Sequence, residues 1–392
     1  MEKKLKFATA IRNFSRQRGG AERYLVDLCE RMVSEGYDVH VYAEQWDEGN
    51  SKIHFHRVPT IRFPKSLRYL SFALRATREI VKGNYDLNFG VGNTIKADVL
   101  QPHGGVHWAW FWRSLKAYHS PIHRWVKFLG RVLSPKQWIN GYIEDAPYKR
   151  ATYKRIVAIS DMVKQDIIKW YNIPDEKIDV VYNGVDPEHF HPKNRKYREE
   201  VRKRLGIGEE IVFLFVSNNF RMKGLEYLIK ALGRLKRKGS PPFKCLILGG
   251  DRKDPYIRLA KKEGVSEDVI FVGQTEEPEK FYGASDLLVH PTFYDACSLT
   301  VIEALASGLP VITTWLNGAG WILTQGQEGF VLSDPRDIEE LQERMSYFFN
   351  PEAREKASMA ARRLAEAYSY QRNWDEMKTI FEQNRSKERS TS

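Results

Sequence analysis

Cysteine is scarce in this chain: three residues in 392, at positions 29, 245 and 297. They are too few and too scattered for a disulfide framework or paired zinc spacing. No Asp-x-Asp occurs, and no pair of histidines, cysteines or acids shows metal-ligand spacing, so neither a metal nor a bound cofactor is expected. No apolar run reaches the length of a membrane span. Met1 to Lys6 is charged and leads straight into a strand pattern, so no signal peptide is expected. A reducing, cytoplasmic compartment follows from these absences. The dinucleotide fingerprint G-x-G-x-x-G is missing too, since Gly90-Val91-Gly92 and Gly318-Ala319-Gly320 both lack the third glycine. A further absence is local: no acidic residue lies between Asp98 and Glu144.

That window holds Arg113, Lys116, Arg124, Lys127, Arg131 and Lys136, together with five of the chain's ten tryptophans, Trp108, Trp110, Trp112, Trp125 and Trp138. The net charge of +12 implies an anionic partner: nucleic acid, anionic lipid or a phosphorylated substrate. Tryptophan interleaved with Leu, Ile and Val suits an acyl boundary better than a base-stacking platform. A peripheral contact with an anionic membrane surface is therefore expected through Trp108, Trp110, Trp112, Arg124, Trp125, Lys127 and Arg131, and nucleic acid is not. The alternative is a pair of core helices that simply bury their tryptophans.

A chain of this length divides into two domains. Strand and helix patterns alternate almost throughout, with strands at about 4–11, 38–43, 53–58, 85–91, 97–101, 155–159 and 178–182 in the first half. The second half restarts at 211–217 and continues through strands at 245–248, 269–272, 287–290 and 310–313. Helices read at about 21–35, 225–235, 256–263, 278–284 and 298–306, from apolar stripes near a period of 3.6. The charged, His- and Pro-containing stretch 187–210 is the break. The expected domains are 1–190, carrying the basic aromatic segment 104–143, and 191–368. Residues 369–392 then form a final helix and a frayed tail. Apolar strands in βα alternation imply parallel sheets covered on both faces, with active residues at the carboxyl ends of the strands.

The residues that carry chemistry lie at those ends. Arg18-Gly19-Gly20-Ala21-Glu22 joins the first strand to the first helix, and two glycines let backbone N–H groups approach a phosphate. Asn218-Asn219-Phe220-Arg221-Met222-Lys223-Gly224 puts cations where a pyrophosphate leaving group would need them. From His290 to Pro310 a buried strand, a small-residue loop and a helix follow in turn. Asp295 lies at the mouth of the loop, Cys297, Ser298, Leu299 and Thr300 open the helix, and Glu303 comes eight positions after Asp295. A helix N-terminus favours an anion, and acids on either side favour hydroxyls, a combination that describes a nucleotide sugar. The plainer reading is a helix start capped by Asp and Ser. Gly249, Asp251, Gln274 and Thr275 also follow strand ends and are candidates for a nucleobase pocket, or equally for ordinary loop polarity.

This arrangement resembles the donor site of retaining GT-B glycosyltransferases, and the run from Leu288 to Ala304 is most similar to lipopolysaccharide core glucosyltransferases. The family's Glu-x-x-Gly start is replaced here by Asp295-Ala296-Cys297-Ser298, and the Arg that usually precedes the Lys-Gly pair is replaced by Ser217 and Asn218. The resemblance implies a GT-B architecture of two Rossmann-like parallel-sheet domains facing a cleft. It assigns His103, Asp295 and Lys223 to catalysis. Donor binding falls to Gly19, Gly20, Arg221, Lys223, Cys297, Ser298, Leu299, Thr300 and Glu303. The function implied is metal-independent, retaining transfer of a hexose, with glucose from UDP-glucose as the leading donor, onto a lipid-linked or lipopolysaccharide-core glycan at the inner membrane face. A nucleotide-sugar epimerase or phosphorylase on the same fold, or a non-enzymatic binder of anionic membrane, would be the alternatives.

Overall fold

The computed structural model describes residues 5–16, 19–47 and 51–385. Met1 to Lys4, Gln17, Arg18 and residues 386–392 are among those outside it, and with them the first residues of the chain, Arg18 of the glycine loop and most of the expected tail. The chain separates into two compact units: 1–112 with 120–181 and 374–392, and 113–119 with 182–373.

In the first unit a seven-stranded sheet runs in the order β5-β3-β1-β6-β7-β8-β9. Its strands are β1 (Lys6–Ala10), β3 (Asp38–Ala43), β5 (His54–Arg57), β6 (Leu87–Gly90), β7 (Val99–Leu100), β8 (Arg155–Ala158) and β9 (Ile178–Val180). The short strands β2 (Asn13–Phe14) and β4 (Gln45–Trp46) pair separately. Every pairing in the main sheet is parallel. Phe7 to Ala10 are all buried, as a strand covered on both faces requires. The helix Gly20–Ser34 buries Leu25, Leu28, Cys29 and Met32, one stripe at helical spacing. The last helix, Tyr370–Asn384, contributes Trp374, Met377, Ile380 and Phe381 to the same core. There Phe381 packs at 5.6 Å from Phe7 and 5.3 Å from Phe89.

Two stretches hold helices whose bounds the sequence reading did not place. Lys65–Lys82 is a full helix with Phe72, Ala76 and Ile80 turned inward, spaced four apart. The basic aromatic segment forms three helices, His107–Leu115, Pro121–Val132 and Pro135–Lys149. Ser120 caps the second by accepting from the His123 N–H, with Pro121 at the first helical position.

The second unit holds a six-stranded parallel sheet in the order β12-β11-β10-β13-β14-β15. These strands are β10 (Ile211–Val216), β11 (Phe243–Leu248), β12 (Val269–Gly273), β13 (Leu287–Val289), β14 (Val311–Thr314) and β15 (Gly329–Leu332). The helix Leu225–Arg237 packs Leu228, Ile229, Leu232 and Leu235 on one side of it. The edge strand β15 and the helices Ile338–Tyr347 and Pro351–Glu366 complete the unit beyond the elements read from sequence. Strand order reverses between β10 and β13 in this unit and between β1 and β6 in the first. In open α/β sheets the space beyond the carboxyl ends of such a strand pair is the ligand site.

Candidate active site

In the second unit the loops leaving β10 and β13 bring Lys223 and Asp295 together. Lys223 Nζ donates to Asp295 Oδ2 at 2.6 Å and to the Tyr294 carbonyl at 3.0 Å. Gly224, at φ 78°, makes this approach possible, because a Cβ there would stand 2.1 Å from the Pro291 carbonyl oxygen. Burial pushes the Asp295 carboxyl up, but the Lys223 ammonium and the Ser298 hydroxyl outweigh it and hold Asp295 below the usual carboxylate range. The site thus carries a fixed anion paired with a fixed cation. His290, one of the buried residues, is pushed down to about 3 by burial and by Lys223, so it is neutral.

The loop between Asp295 and the helix Leu299–Ala306 is clamped from outside. Asn317 is fully buried, and its Oδ1 accepts from the Ser298 N–H at 3.3 Å and from the Ala319 N–H at 3.1 Å. Its Nδ2 donates to Thr313 Oγ1 at 3.0 Å. Asn183 Nδ2 donates to the Cys297 carbonyl at 3.1 Å. The Ser298 N–H, expected to face a pyrophosphate, is therefore committed to Asn317. Leu299 and Thr300 are the first two helical residues, whose N–H groups have no acceptor within the helix. One turn on, Glu303 Oε2 accepts from the buried Tyr282 hydroxyl at 2.9 Å, which fixes the carboxylate. Tyr282, Asn317 and Asn183 were not expected as site residues. They come from separate elements of the second unit.

Arg221 lies on the same loop as Lys223, exposed, with its guanidinium 4.2 Å above the ring of Tyr118. The candidates for a nucleobase pocket have local duties. Asp251 Oδ2 accepts from the Phe220 N–H at 2.8 Å and Oδ1 from the Arg252 N–H at 2.7 Å. Thr275 Oγ1 accepts from the Glu277 N–H at 3.1 Å. Gly249, at φ 130°, lies so close to the Ser217 carbonyl that a Cβ would stand 1.7 Å away, and Gln274 packs over Gly250. These residues shape the loops leaving β10, β11 and β12.

In the first unit Gly19 is the exposed residue preceding the helix that begins at Gly20, and no side chain caps that start. His103 lines a cavity of about 320 Å³ with Thr94, His107, Trp110, Glu144 and Tyr148. Its ring stacks on Tyr24 at 4.4 Å, and burial pushes it down to about 4, so the imidazole is neutral. Thr94 Oγ1, His103 Nδ1 and His107 Nε2 are buried without a hydrogen bond. Glu144 Oε1 accepts from the His107 N–H at 2.7 Å and from the Tyr171 hydroxyl at 2.9 Å. Burial pushes this carboxyl up to about 8.

The basic aromatic helices divide their tryptophans. Trp108 is turned inward, with Nε1 donating to Asp145 at 3.0 Å, and Trp110 borders the cavity with the Arg131 guanidinium 4.8 Å above its ring. Arg131 also donates to the Phe111 carbonyl at 2.7 Å. These three do not face outward as expected. Trp112 and Trp125 do, and the helix Pro121–Val132 has no buried residue at all.

Two parallel-sheet α/β units, the second with a fixed charge pair at its switch point, have the architecture of GT-B glycosyltransferases. The chain belongs to that class as a group 1 glycosyltransferase: residues 18–189 match the Glycosyltransferase Family 4 model and residues 197–364 match the model of Glycosyl transferases group 1. An uncharacterized glycosyltransferase of Methanocaldococcus jannaschii is 27% identical over 319 residues, covering 76% of this chain and 77% of the relative. The lipopolysaccharide glucosyltransferase WaaG of Escherichia coli is 24% identical over 340 residues, covering 83% and 84%. Among solved structures, that of WaaG superposes with a TM-score of 0.76 at 21% identity, over 96% of this chain and 99% of the other. Anabaena HepE in complex with UDP gives 0.70 at 17%, over 97% and 100%.

Proposed function

We propose that this enzyme moves a hexose, glucose from UDP-glucose in the leading reading, onto a lipid-linked or lipopolysaccharide-core glycan, with retention and without a metal. One observation carries the proposal: the Lys223–Asp295 pair stands at the switch point beside the start of the helix that bears Glu303. Glu303, oriented by Tyr282, takes the ribose hydroxyls. Lys223 and the N–H groups of Leu299 and Thr300 take the diphosphate. Asp295 takes hydroxyls of the hexose. In the transfer step the bond from the anomeric carbon to the diphosphate oxygen breaks and a bond to the acceptor oxygen forms on the same face. The acceptor proton passes to the departing phosphate. Charge on that phosphate grows as the bond breaks, and Lys223 is placed to neutralise it. The similarity to WaaG, a glucosyltransferase, and to HepE, solved with UDP-glucose, favours this donor.

The acceptor reading rests on the first unit's cavity, whose orphaned polar atoms suit a hydroxyl-rich neutral ligand. The membrane reading rests on the outward face of Pro121–Val132, where Ile122 is 74% exposed and Trp125 61%, followed by Leu133 at 78%. No helix among the described residues is long and apolar enough to cross a membrane, so the contact proposed is peripheral, on the cytoplasmic face.

The test is a screen of nucleotide sugars in a chelator, with and without a glycan acceptor. Acceptor-dependent release of nucleoside diphosphate is expected. Release without acceptor would favour epimerase chemistry, and a need for free phosphate would favour a phosphorylase. For the membrane, co-sedimentation should require anionic lipid, weaken with salt, and fall when Lys127 and Trp125 are both changed to Glu. Equal binding to neutral liposomes would remove this part of the proposal.

A further inference from the structure

One face of the first unit's sheet carries a cluster that the transfer reaction does not use. Asp38 and His40 alternate on β3, and His54 and His56 alternate on β5, so each pair projects from one face of its strand. The parallel register sets His40 beside His54. Asp38 Oδ1 lies 3.3 Å from His40 Nε2 and 3.3 Å from His54 Nε2. The ligating atoms of all three residues fall within 4.8 Å of one another. His40 Nε2 is buried and faces the Asp38 carboxylate at that 3.3 Å separation. This nitrogen thus lies among two other electron-pair donors, a carboxylate oxygen and a second imidazole nitrogen. His40 Nδ1 is 2.8 Å from His56 Nε2, which holds the ring in place. A second-nitrogen contact of this kind commonly orients a metal-bound imidazole.

We propose that Asp38, His40 and His54 form a site for a divalent transition metal of the zinc class. Two imidazole nitrogens and one carboxylate oxygen suit zinc and its neighbours, whereas magnesium and calcium prefer oxygen alone. With bonds of about 2.0–2.1 Å, a tetrahedral zinc centre has ligand–ligand edges of about 3.3–3.4 Å. The two 3.3 Å separations already have this length. The His54 side chain is 61% exposed, so water can reach the fourth position. Asp38 opens β3 and pairs with Lys6 at the start of β1. The site therefore lies at the opposite end of the sheet from the loops that carry Gly19 and His103. Its role is structural: the metal ties the edge strand β5 to β3. The spacings Asp38-x-His40 and His54-x-His56 give no metal pattern in the linear sequence, because strand pairing alone brings the ligands together.

The test uses the whole protein, stripped with a chelator and titrated with zinc alone against a chromophoric competitor. The wild type should take up one equivalent saturably, and its melting temperature should rise with free zinc. Asp38→Asn and His54→Ala, both at positions at least partly exposed, should each weaken uptake at least tenfold. Cobalt substituted into the wild type should give visible d–d bands that are absent from His54→Ala. No saturable uptake by the wild type, or uptake unchanged in both variants, would overturn the proposal.

Discussion

The two units hold their polar groups in opposite ways. In the second unit the charged groups of the site are already engaged: Lys223 with Asp295, Glu303 with Tyr282, and the loop between them with Asn317 and Asn183. In the first unit the cavity presents buried atoms of Thr94, His103 and His107 that make no hydrogen bond. A charged ligand is best met by charges fixed before it arrives, because reorganising them during reaction would raise the barrier. A neutral ligand rich in hydroxyls supplies the hydrogen bonds that orphaned groups lack. On this contrast we propose that the second unit takes a nucleoside diphosphate and the first a sugar.

The largest effect should come from breaking the second unit's charge pair. Lys223→Ala should lower kcat by about 10²–10³, the scale for losing a group that stabilises charge developing in the transition state. Affinity for UDP should fall much less. Steady-state kinetics beside calorimetric titration of UDP separates the two, and a loss confined to affinity would move Lys223 out of the chemical step.

Changes in the cavity should be smaller and should fall on the other substrate. Thr94→Val removes one orphaned hydroxyl with little change of shape. It should raise the acceptor KM by roughly fivefold to tenfold, the worth of one neutral hydrogen bond of about 1 kcal/mol. UDP affinity should not move. If UDP affinity shifts and the acceptor KM does not, the division of labour between the units is wrong.

The smallest effect is on stability. Glu144 is held up at about 8 by burial, against the pull of the His107 N–H and the Tyr171 hydroxyl. Its folded pKa lies above its ordinary value near 4.5, so its contribution is complete below that value and is lost as pH rises toward about 8. Melting temperature should decline between those limits, and Glu144→Gln should flatten the decline. Identical pH profiles for the two proteins would place the Glu144 carboxylate in water.

Much of this was legible in the sequence, and what was hidden has physical reasons. Strands such as Ile211–Val216 are apolar throughout because both faces are covered, and continuous apolar runs are easy to see. Lys223, Asp295 and Glu303 stood out because each follows a strand end in a short motif. Tyr282 and Asn317 did not, since a clamp that reaches in from another element leaves no local pattern. Asp251 and Thr275 were open to two readings, because strand-end loops are polar with or without a ligand; their oxygens hold backbone N–H groups, those of Phe220 and Arg252 for Asp251 and that of Glu277 for Thr275. Trp108 and Trp110 read like their neighbours in the basic aromatic segment. Helical geometry turns them inward and leaves Trp112 and Trp125 outside.

Glu303 offers the most direct test of the donor site, because its assignment predicts a loss of binding rather than of folding. UDP should be titrated into the wild type and into Glu303→Ala, both in a chelator, with circular dichroism to check the fold. The account predicts one saturable site in the wild type without added metal. Affinity in Glu303→Ala should be weaker by about 1.5–3 kcal/mol, the scale of a charge-assisted hydrogen bond. Equal affinity in the two proteins, or wild-type binding that appears only when magnesium is restored, would contradict it.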